Sequence, residues 1–101
     1  MITLTKQQEE VLRIMQEECA EVIQEASKVC RFGLDATHPD EIKTNQDKLT
    51  TELGDLQCMI DLALRFGIID GPSLQAASRA KEKKLHLWTN IFKEELNDTG
   101  R

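Results

Sequence analysis

Apolar residues recur every three or four positions along most of the chain, which is the spacing of one face of an α-helix. Alternating apolar and polar runs are absent, so we expect an all-α fold. The first helix should begin near Thr5, a good N-cap residue, run to about Phe32 and stop at Gly33. Its apolar stripe is expected to consist of Leu12, Met15, Cys19, Val22, Ile23, Ala26 and Cys30.

Two further helices are expected after a loop over residues 33–44, where Gly33, Pro39 and the Asp, Thr and His content interrupt regular structure. The second helix should span about residues 46–65, with Asn45 as its cap. The third should span about residues 73–96, with a bend or a break near Trp88. The pattern therefore predicts three helices and no strands.

Composition narrows the class of protein. A chain of 101 residues is expected to form a single domain over residues 1–101. Its net charge of −5 argues against nucleic-acid binding, and it lacks the ~18-residue apolar run of a membrane span. Cys19, Cys30 and Cys58 are odd in number and scattered, so neither a disulfide framework nor a zinc site is expected. A cytoplasmic location fits these features.

Several acidic residues lie on the apolar side of the predicted helices. On a helical wheel, Glu18 lies between Val11 and Val22, and Glu52 lies in the apolar arc of the second helix with Asp55 beside it. Carboxylates directed toward a core are costly unless they are paired or bind a cation. This placement favours a functional cluster, although Glu-rich helices also occur simply as solvated surface.

The acidic residues form two pairs with the same spacing. Glu18 and Glu21 are three residues apart, as are Glu52 and Asp55, so each pair stands on adjacent turns of one helix face. Antiparallel packing of the two helices could bring four carboxylates together. Oxygen ligands suit Mg²⁺, with Mn²⁺ as a substitute, and no His or Cys cluster indicates a softer metal.

Two segments carry a resemblance to a known family. Residues 17–21 (EECAE) and 52–55 (ELGD) resemble the E-E-x-x-E … E-x-x-D signature of the MazG-like all-alpha nucleotide pyrophosphohydrolases. Residues 18–34 and 51–64 look like the small phage-type and bacterial members, and the resemblance covers most of residues 10–90. It implies an antiparallel bundle completed by oligomerisation, as a dimer or a tetramer. It also implies Mg²⁺-dependent hydrolysis of an NTP or dNTP to the monophosphate and pyrophosphate, in control of the nucleotide pool.

The resemblance also implies roles for individual residues. The metal-binding and catalytic positions correspond to Glu18, Glu21, Glu52 and Asp55. Glu17 matches the first acid of the motif and is a further candidate metal ligand. Basic residues that would complete a phosphate site are Lys81 and Lys84, with Lys83 as a neighbour, and Lys28 and Arg31 after the first motif. Phe32 could pack against a base or ribose, or be an ordinary core residue.

Two other functions remain open at this point. One is a catalytically weak nucleotide-binding regulatory subunit on the same fold, and the other is a helical protein-interaction adaptor without a ligand. The adaptor hypothesis leaves the core-facing acids unexplained. The expected partners are a nucleoside triphosphate and further copies of this chain, with neither nucleic acid nor membrane.

Overall fold

Three α-helices make up most of the computed structural model, which describes residues 3–93. They are α1 (Lys6–Phe32), α2 (Asn45–Arg65) and α3 (Gly71–Trp88). Within the described residues the only β-type pairing is an isolated antiparallel bridge in the loop after α1, between Thr37 and Thr44. The predicted all-α class and the order of three helices are confirmed.

Reciprocal side-chain hydrogen bonds fix where the first two helices begin. Thr5 accepts a hydrogen bond from the Gln8 N–H, and the Gln8 side chain accepts one from the Thr5 N–H, both at 3.0 Å. Thr44 and Asp47 repeat this capping box at the start of α2, at 3.1 and 3.0 Å. The cap of α2 is therefore Thr44, and the predicted cap Asn45 is the first helical residue instead.

The third helix is shorter than the predicted span of residues 73–96. It ends at Trp88, because Thr89 takes an extended conformation with a φ of −132°. The hydroxyl and the N–H of Thr89 both donate to the Leu85 carbonyl, at 2.6 and 3.0 Å. These bonds satisfy an orphan carbonyl of the last turn, so the chain breaks here and does not merely bend. Residues 94–96 lie outside the described part of the chain.

The chain divides into two compact units, Met1–Ile68 and Ile69–Arg101. The first unit is an antiparallel hairpin of α1 and α2. At one end of the hairpin, the Gln8 amide donates to the Phe66 carbonyl at 2.9 Å. At the other end, the Asn45 amide donates to the Gly33 carbonyl at 3.2 Å. Each end of α1 is therefore tied to the opposite end of α2.

A seam of residues at alternating three- and four-residue spacing joins the two helices. The spacing averages 3.5 residues, as in coiled coils, so the contact line stays on one side of each helix and drifts by only about 20° per heptad. On α1 the seam consists of Gln8, Val11, Met15, Glu18, Val22, Glu25 and Val29, and on α2 of Asn45, Leu49, Glu52, Leu56, Met59 and Ala63. The buried apolar core of the hairpin consists of Val11, Met59 and Ala63.

This seam lies to one side of the apolar stripe predicted for α1. Cys19 and Cys30 are exposed, and Ile23 keeps 70% of its surface accessible. These three members of the predicted apolar stripe are therefore not part of the core of the hairpin. A contact line that passes through Glu18 and Glu25 leaves the neighbouring apolar positions facing outward.

The second unit consists of α3 and the residues that follow it. Asp70 caps the helix by accepting the Ser73 N–H at 3.0 Å, and Pro72 lies in the first turn, where its missing N–H costs nothing. After α3 the chain turns so that the rings of His86 and Phe92 stack, with centroids 3.8 Å apart. Within residues 3–93, no helix combines the length and apolar character that crossing a membrane requires.

Candidate functional site

Three carboxylates from two helices meet halfway along the seam. Glu18 comes from α1, and Glu52 and Asp55 come from adjacent turns of α2. One oxygen from each of the three lies within 4.8 Å of one from each of the others, so a single cation could contact all three groups. Glu18 and Glu52 are at this position because the 3.5-residue repeat that places Val11 and Met59 in the core also places them in the seam.

The fourth predicted ligand, Glu21, lies against Glu52. A hydrogen bond with Glu21 is the largest of the effects that raise the pKa of Glu52 to about 7, followed by burial and by the charges of Glu21, Asp55 and Glu18. Burial also raises the pKa of Glu18, assisted by the charges of Glu21 and Asp55. Like charges this close disfavour ionisation, so the cluster attracts a proton or a cation.

Buried oxygens without partners are a second feature of the cluster that fits a cation. Among the described residues, Oε1 of Glu18, Oε1 of Glu52 and Oε1 of Glu25 are shielded from solvent without a hydrogen-bond partner. Buried polar atoms are almost always satisfied in folded proteins. A divalent cation in the cluster would satisfy the oxygens of Glu18 and Glu52.

The remaining predicted metal candidate, Glu17, is not part of this group of three. Its side chain is exposed on α1, and its charge is the weakest of those that raise the pKa of Glu18. A direct role for Glu17 at a cation therefore stays a prediction.

A cleft at the loop end of the hairpin brings together three of the five predicted substrate-binding residues. Lys28, Arg31 and Phe32 line a cavity of about 310 Å³, with walls completed by Ala36, Thr37, His38, Pro39, Asn45 and Lys48. The Arg31 guanidinium carbon lies 5.1 Å from the centre of the Phe32 ring. Phe32 is 64% exposed, so the prediction that it is an ordinary core residue does not hold within this chain.

The other two predicted phosphate ligands, Lys81 and Lys84, lie on α3 of the second unit. Both are exposed, as is their neighbour Lys83, which lines a cleft with Arg79, Glu82 and His86. Their role toward a phosphate stays a prediction.

Glu25 and Lys48 belong to the site although no role had been predicted for either. Glu25 is buried to 9% exposure and pairs through Oε2 with Lys28 at 3.3 Å. Lys48 pairs with Glu41 at 2.6 Å and lines the cleft. Spacing carries a signal for both, since Glu25 is seven residues after Glu18 and Lys48 is one turn before Glu52.

No family model, curated protein or solved structure matches this chain. Function is therefore inferred from the geometry of the hairpin and from the resemblance of its two acidic motifs. The hairpin offers a carboxylate cluster suited to a hard cation and, at its loop end, a cleft with an aromatic ring and basic side chains.

Proposed function

We propose that the protein is a Mg²⁺-dependent nucleoside triphosphate pyrophosphohydrolase of the MazG-like all-α family. It would convert an NTP or dNTP and water to the monophosphate and pyrophosphate. The observation that carries this proposal is the convergence of three carboxylates from two helices, Glu18, Glu52 and Asp55. Glu18 and Glu52 are half-buried in the seam, where carboxylates are otherwise unfavourable, and the exposed Asp55 and Glu21 lie beside them.

The donor set fits a hard divalent cation. Glu18, Glu52 and Asp55 would hold it, with Glu21 as the fourth carboxylate, and Mn²⁺ should substitute for Mg²⁺ because both prefer oxygen. A bound divalent cation supplies charge neutralisation for the triphosphate and lowers the pKa of a water molecule. The partnerless oxygens of Glu18 and Glu52 support this fit.

The carboxylates themselves have two tasks in the reaction. They orient the attacking water by accepting its hydrogen bonds, and one of them takes the proton that the water loses as its oxygen bonds to phosphorus. The phosphoanhydride bond then breaks and pyrophosphate leaves with the bonding electron pair.

Basic residues would bind the phosphates from the periphery. Lys28 and Arg31 belong to the same hairpin as the carboxylates. The family resemblance gives Lys81 and Lys84 of α3 the same kind of role. Such cations offset the negative charge that the substrate adds to an acidic protein.

We further propose that the chain works as a cytoplasmic homo-oligomer, either a dimer or a tetramer. Large apolar side chains are exposed on all three helices, among them Ile23 at 70%, Leu53 at 46% and Trp88 at 81%. Exposure of this kind is typical of surfaces that associate. Light scattering at micromolar concentration should give at least twice the monomer mass, and a stable monomer would contradict the proposal.

A panel of nucleotides incubated with and without Mg²⁺ tests the reaction. We expect at least one common or modified nucleoside triphosphate to yield one monophosphate per pyrophosphate, with the reaction abolished by EDTA and restored by Mg²⁺ or Mn²⁺. Release of orthophosphate, or turnover that persists in EDTA, would contradict the proposal. Tight nucleotide binding without turnover would favour the regulatory-subunit alternative, and binding of no nucleotide would favour the adaptor.

A further inference from the structure

The tip of the loop between α1 and α2, residues 38–43, is exposed along its whole length. The base of the loop is fixed, since the Asn45 N–H donates to the Ala36 carbonyl at 2.8 Å. Within the tip, the Glu41 N–H donates to the His38 carbonyl at 2.9 Å, a bond that ties the tip to itself. An exposed segment on a fixed base can open locally while the rest of the fold stays intact.

Lys48 holds the tip from α2. Its ammonium donates to Glu41 Oε1 at 2.6 Å, and its side chain is only 19% exposed. This hydrogen bond is the largest of the effects that lower the pKa of Glu41, so the carboxylate is charged at neutral pH. His38 and Pro39 of the same tip line the cleft at the loop end of the hairpin. The ion pair therefore fixes the tip where it forms part of the cleft wall.

Glu25 is a second carboxylate within reach of Lys48. Both line one hollow of about 200 Å³, together with Glu41. The register of the helices agrees, since Glu21 and Glu52 form a hydrogen bond across the seam. Glu25 lies four residues after the first of these, and Lys48 lies four residues before the second. Because the helices are antiparallel, this shift of about one turn along each brings Glu25 and Lys48 into the same relation.

Glu25 lacks a partner that Lys48 could supply. Its Oε1 is shielded from solvent and has no hydrogen-bond partner within residues 3–93. Its Oε2 lies 3.3 Å from the Lys28 ammonium, longer than the about 2.7–2.9 Å of a strong charged hydrogen bond. Since Lys48 is bound to Glu41 while this oxygen is unpaired, the ammonium serves one carboxylate at a time. Pairing a buried carboxylate is favourable, which offsets the loss of the exposed ion pair when Lys48 moves to Glu25.

We propose that the loop tip, residues 38–43, is a lid on the cleft and that Lys48 switches it between two states. The lid is closed when Lys48 pairs with Glu41 and open when Lys48 pairs with Glu25. A lysine suits this exchange because its ammonium stands on a flexible four-carbon stem. The two states exchange one ion pair for another, so both can be populated. The lid sets how often the cleft is open, whatever ligand the cleft takes.

Proteolysis of the native protein in EDTA measures how often the lid opens. Endoproteinase Lys-C cuts after Lys43, an exposed residue of the tip, and mass spectrometry distinguishes this cut from those at other lysines. When opening and closing are fast, the rate of cutting follows the population of the open form. Each rate is divided by the rate at the same bond in urea-unfolded protein, which removes any effect of a substitution on recognition by the protease.

The two carboxylate substitutions should have opposite effects on this normalised rate. Glu41→Gln weakens the closed state and should raise the rate about two- to fivefold, the range for one partly exposed ion pair. Glu25→Gln weakens the open state and should lower the rate by a similar factor. In a Lys48→Gln background neither should change the rate further, because the shared ammonium is absent. Glu10→Gln, at an exposed position of α1, is the matched control and should have no effect.

Two results would overturn the lid. One is an unchanged or faster cut in Glu25→Gln, which would mean that this carboxylate does not hold an open state. The other is a slower cut in Glu25→Gln that persists without Lys48, which would mean that Glu25 acts through the general stability of the hairpin. The measurement uses neither nucleotide nor metal, so a protein that hydrolyses no triphosphate could still show the switch. An active pyrophosphatase whose cutting rate ignores Glu25 would refute the lid alone.

Discussion

The two halves of the α1–α2 interface share the same packing geometry but carry different kinds of side chain. In the half that contains the start of α1, the seam positions hold Val11, Met59 and Ala63, which form the apolar core. In the other half, equivalent positions hold Glu18, Glu25 and Glu52. The repeat does not change between the halves, so the helices pack continuously while carboxylates enter the seam among Val22, Val29 and Leu49.

This difference indicates that the acidic half is not built for stability. Burial and like charges raise the pKa of Glu18 and Glu52, which means that the folded state opposes their ionisation. The apolar half and the capping boxes must offset that cost. A chain selected for stability alone would carry aliphatic residues at these seam positions.

The largest expected effect comes from neutralising the acidic half. Glu52→Gln keeps the shape of the side chain but removes its charge, so the affinity for Mg²⁺ and the pyrophosphatase activity should fall by at least about 100-fold. The metal-free melting temperature should stay the same or rise, because repulsion within the cluster is relieved. Turnover and thermal unfolding in EDTA measure the two quantities.

Exposed acids provide the matched controls for this variant. Glu10 on α1 and Asp61 on α2 are exposed and lie outside the cluster. Glu10→Gln and Asp61→Asn should therefore leave activity within about twofold of wild type, consistent with the small effects of most surface substitutions. A Glu52→Gln protein that melts much lower yet keeps the wild-type turnover per folded molecule would show that the cluster is structural.

A substitution in the apolar half should have the opposite effect, with stability lost and turnover preserved. Met59→Ala removes a side chain that is 93% buried against Val11 and Ala63, and should lower the free energy of unfolding by about 2–5 kcal/mol. Turnover per folded molecule should be preserved at a temperature where the variant is native. Urea denaturation gives the first quantity, with the exposed Ile42→Ala as the control. A stability loss below ~0.5 kcal/mol would mean that this half is not the core.

The sequence predicted the acidic half of the interface better than the apolar half. A carboxylate on an apolar helix face is an unusual feature, so Glu18 and Glu52 could be identified from spacing alone. Apolar residues occur on several sides of α1, and a wheel of 3.6 residues does not reveal that the actual contact follows a 3.5-residue repeat. For this reason Ile23 was assigned to the core, although it is exposed.

The residues that line the cleft at the loop end of the hairpin could be predicted only in part, for a different reason. Lys28, Arg31 and Phe32 are close in sequence and lie near the end of one helix, so their grouping follows from local structure. His38 and Lys48 join them because the Asn45 amide ties the start of α2 to the Gly33 carbonyl. A contact that depends on the path of a 12-residue loop, residues 33–44, leaves no periodic signal in the sequence.

A smaller expected effect is a dependence of stability on pH that comes from the acidic half. The folded protein raises the pKa of Glu52 from 4.5 to about 7, so it binds this proton more tightly than the unfolded chain does. The resulting stabilisation is complete below pH 4.5 and is lost as the pH rises from there to 7. Glu18, Glu21 and Asp55 face the same proton and contribute to the shift.

Comparison of two proteins isolates this contribution from that of other acids. In EDTA, the stability of wild type relative to Glu52→Gln should decrease between pH 5 and 7.5, as measured by urea denaturation at each pH. Saturating Mg²⁺ should reverse the trend, because cation binding requires the ionised carboxylates. A stability difference that does not vary with pH in EDTA would mean that folding does not raise the pKa of Glu52.

The smallest effect tests whether the two halves are held by local or by shared interactions. Thr44→Ala removes the side-chain oxygen that accepts the Asp47 N–H, so α2 loses its cap and the protein should lose about 1 kcal/mol of stability. Thr44→Ser should restore most of it. Glu52 lies two turns further along α2, beyond the first turn that the cap protects. The Mg²⁺ affinity measured by titration calorimetry should therefore be unchanged in Thr44→Ala. A parallel loss of Mg²⁺ affinity would instead mean that the acidic half depends on the loop end of the hairpin, and that the seam behaves as one cooperative unit.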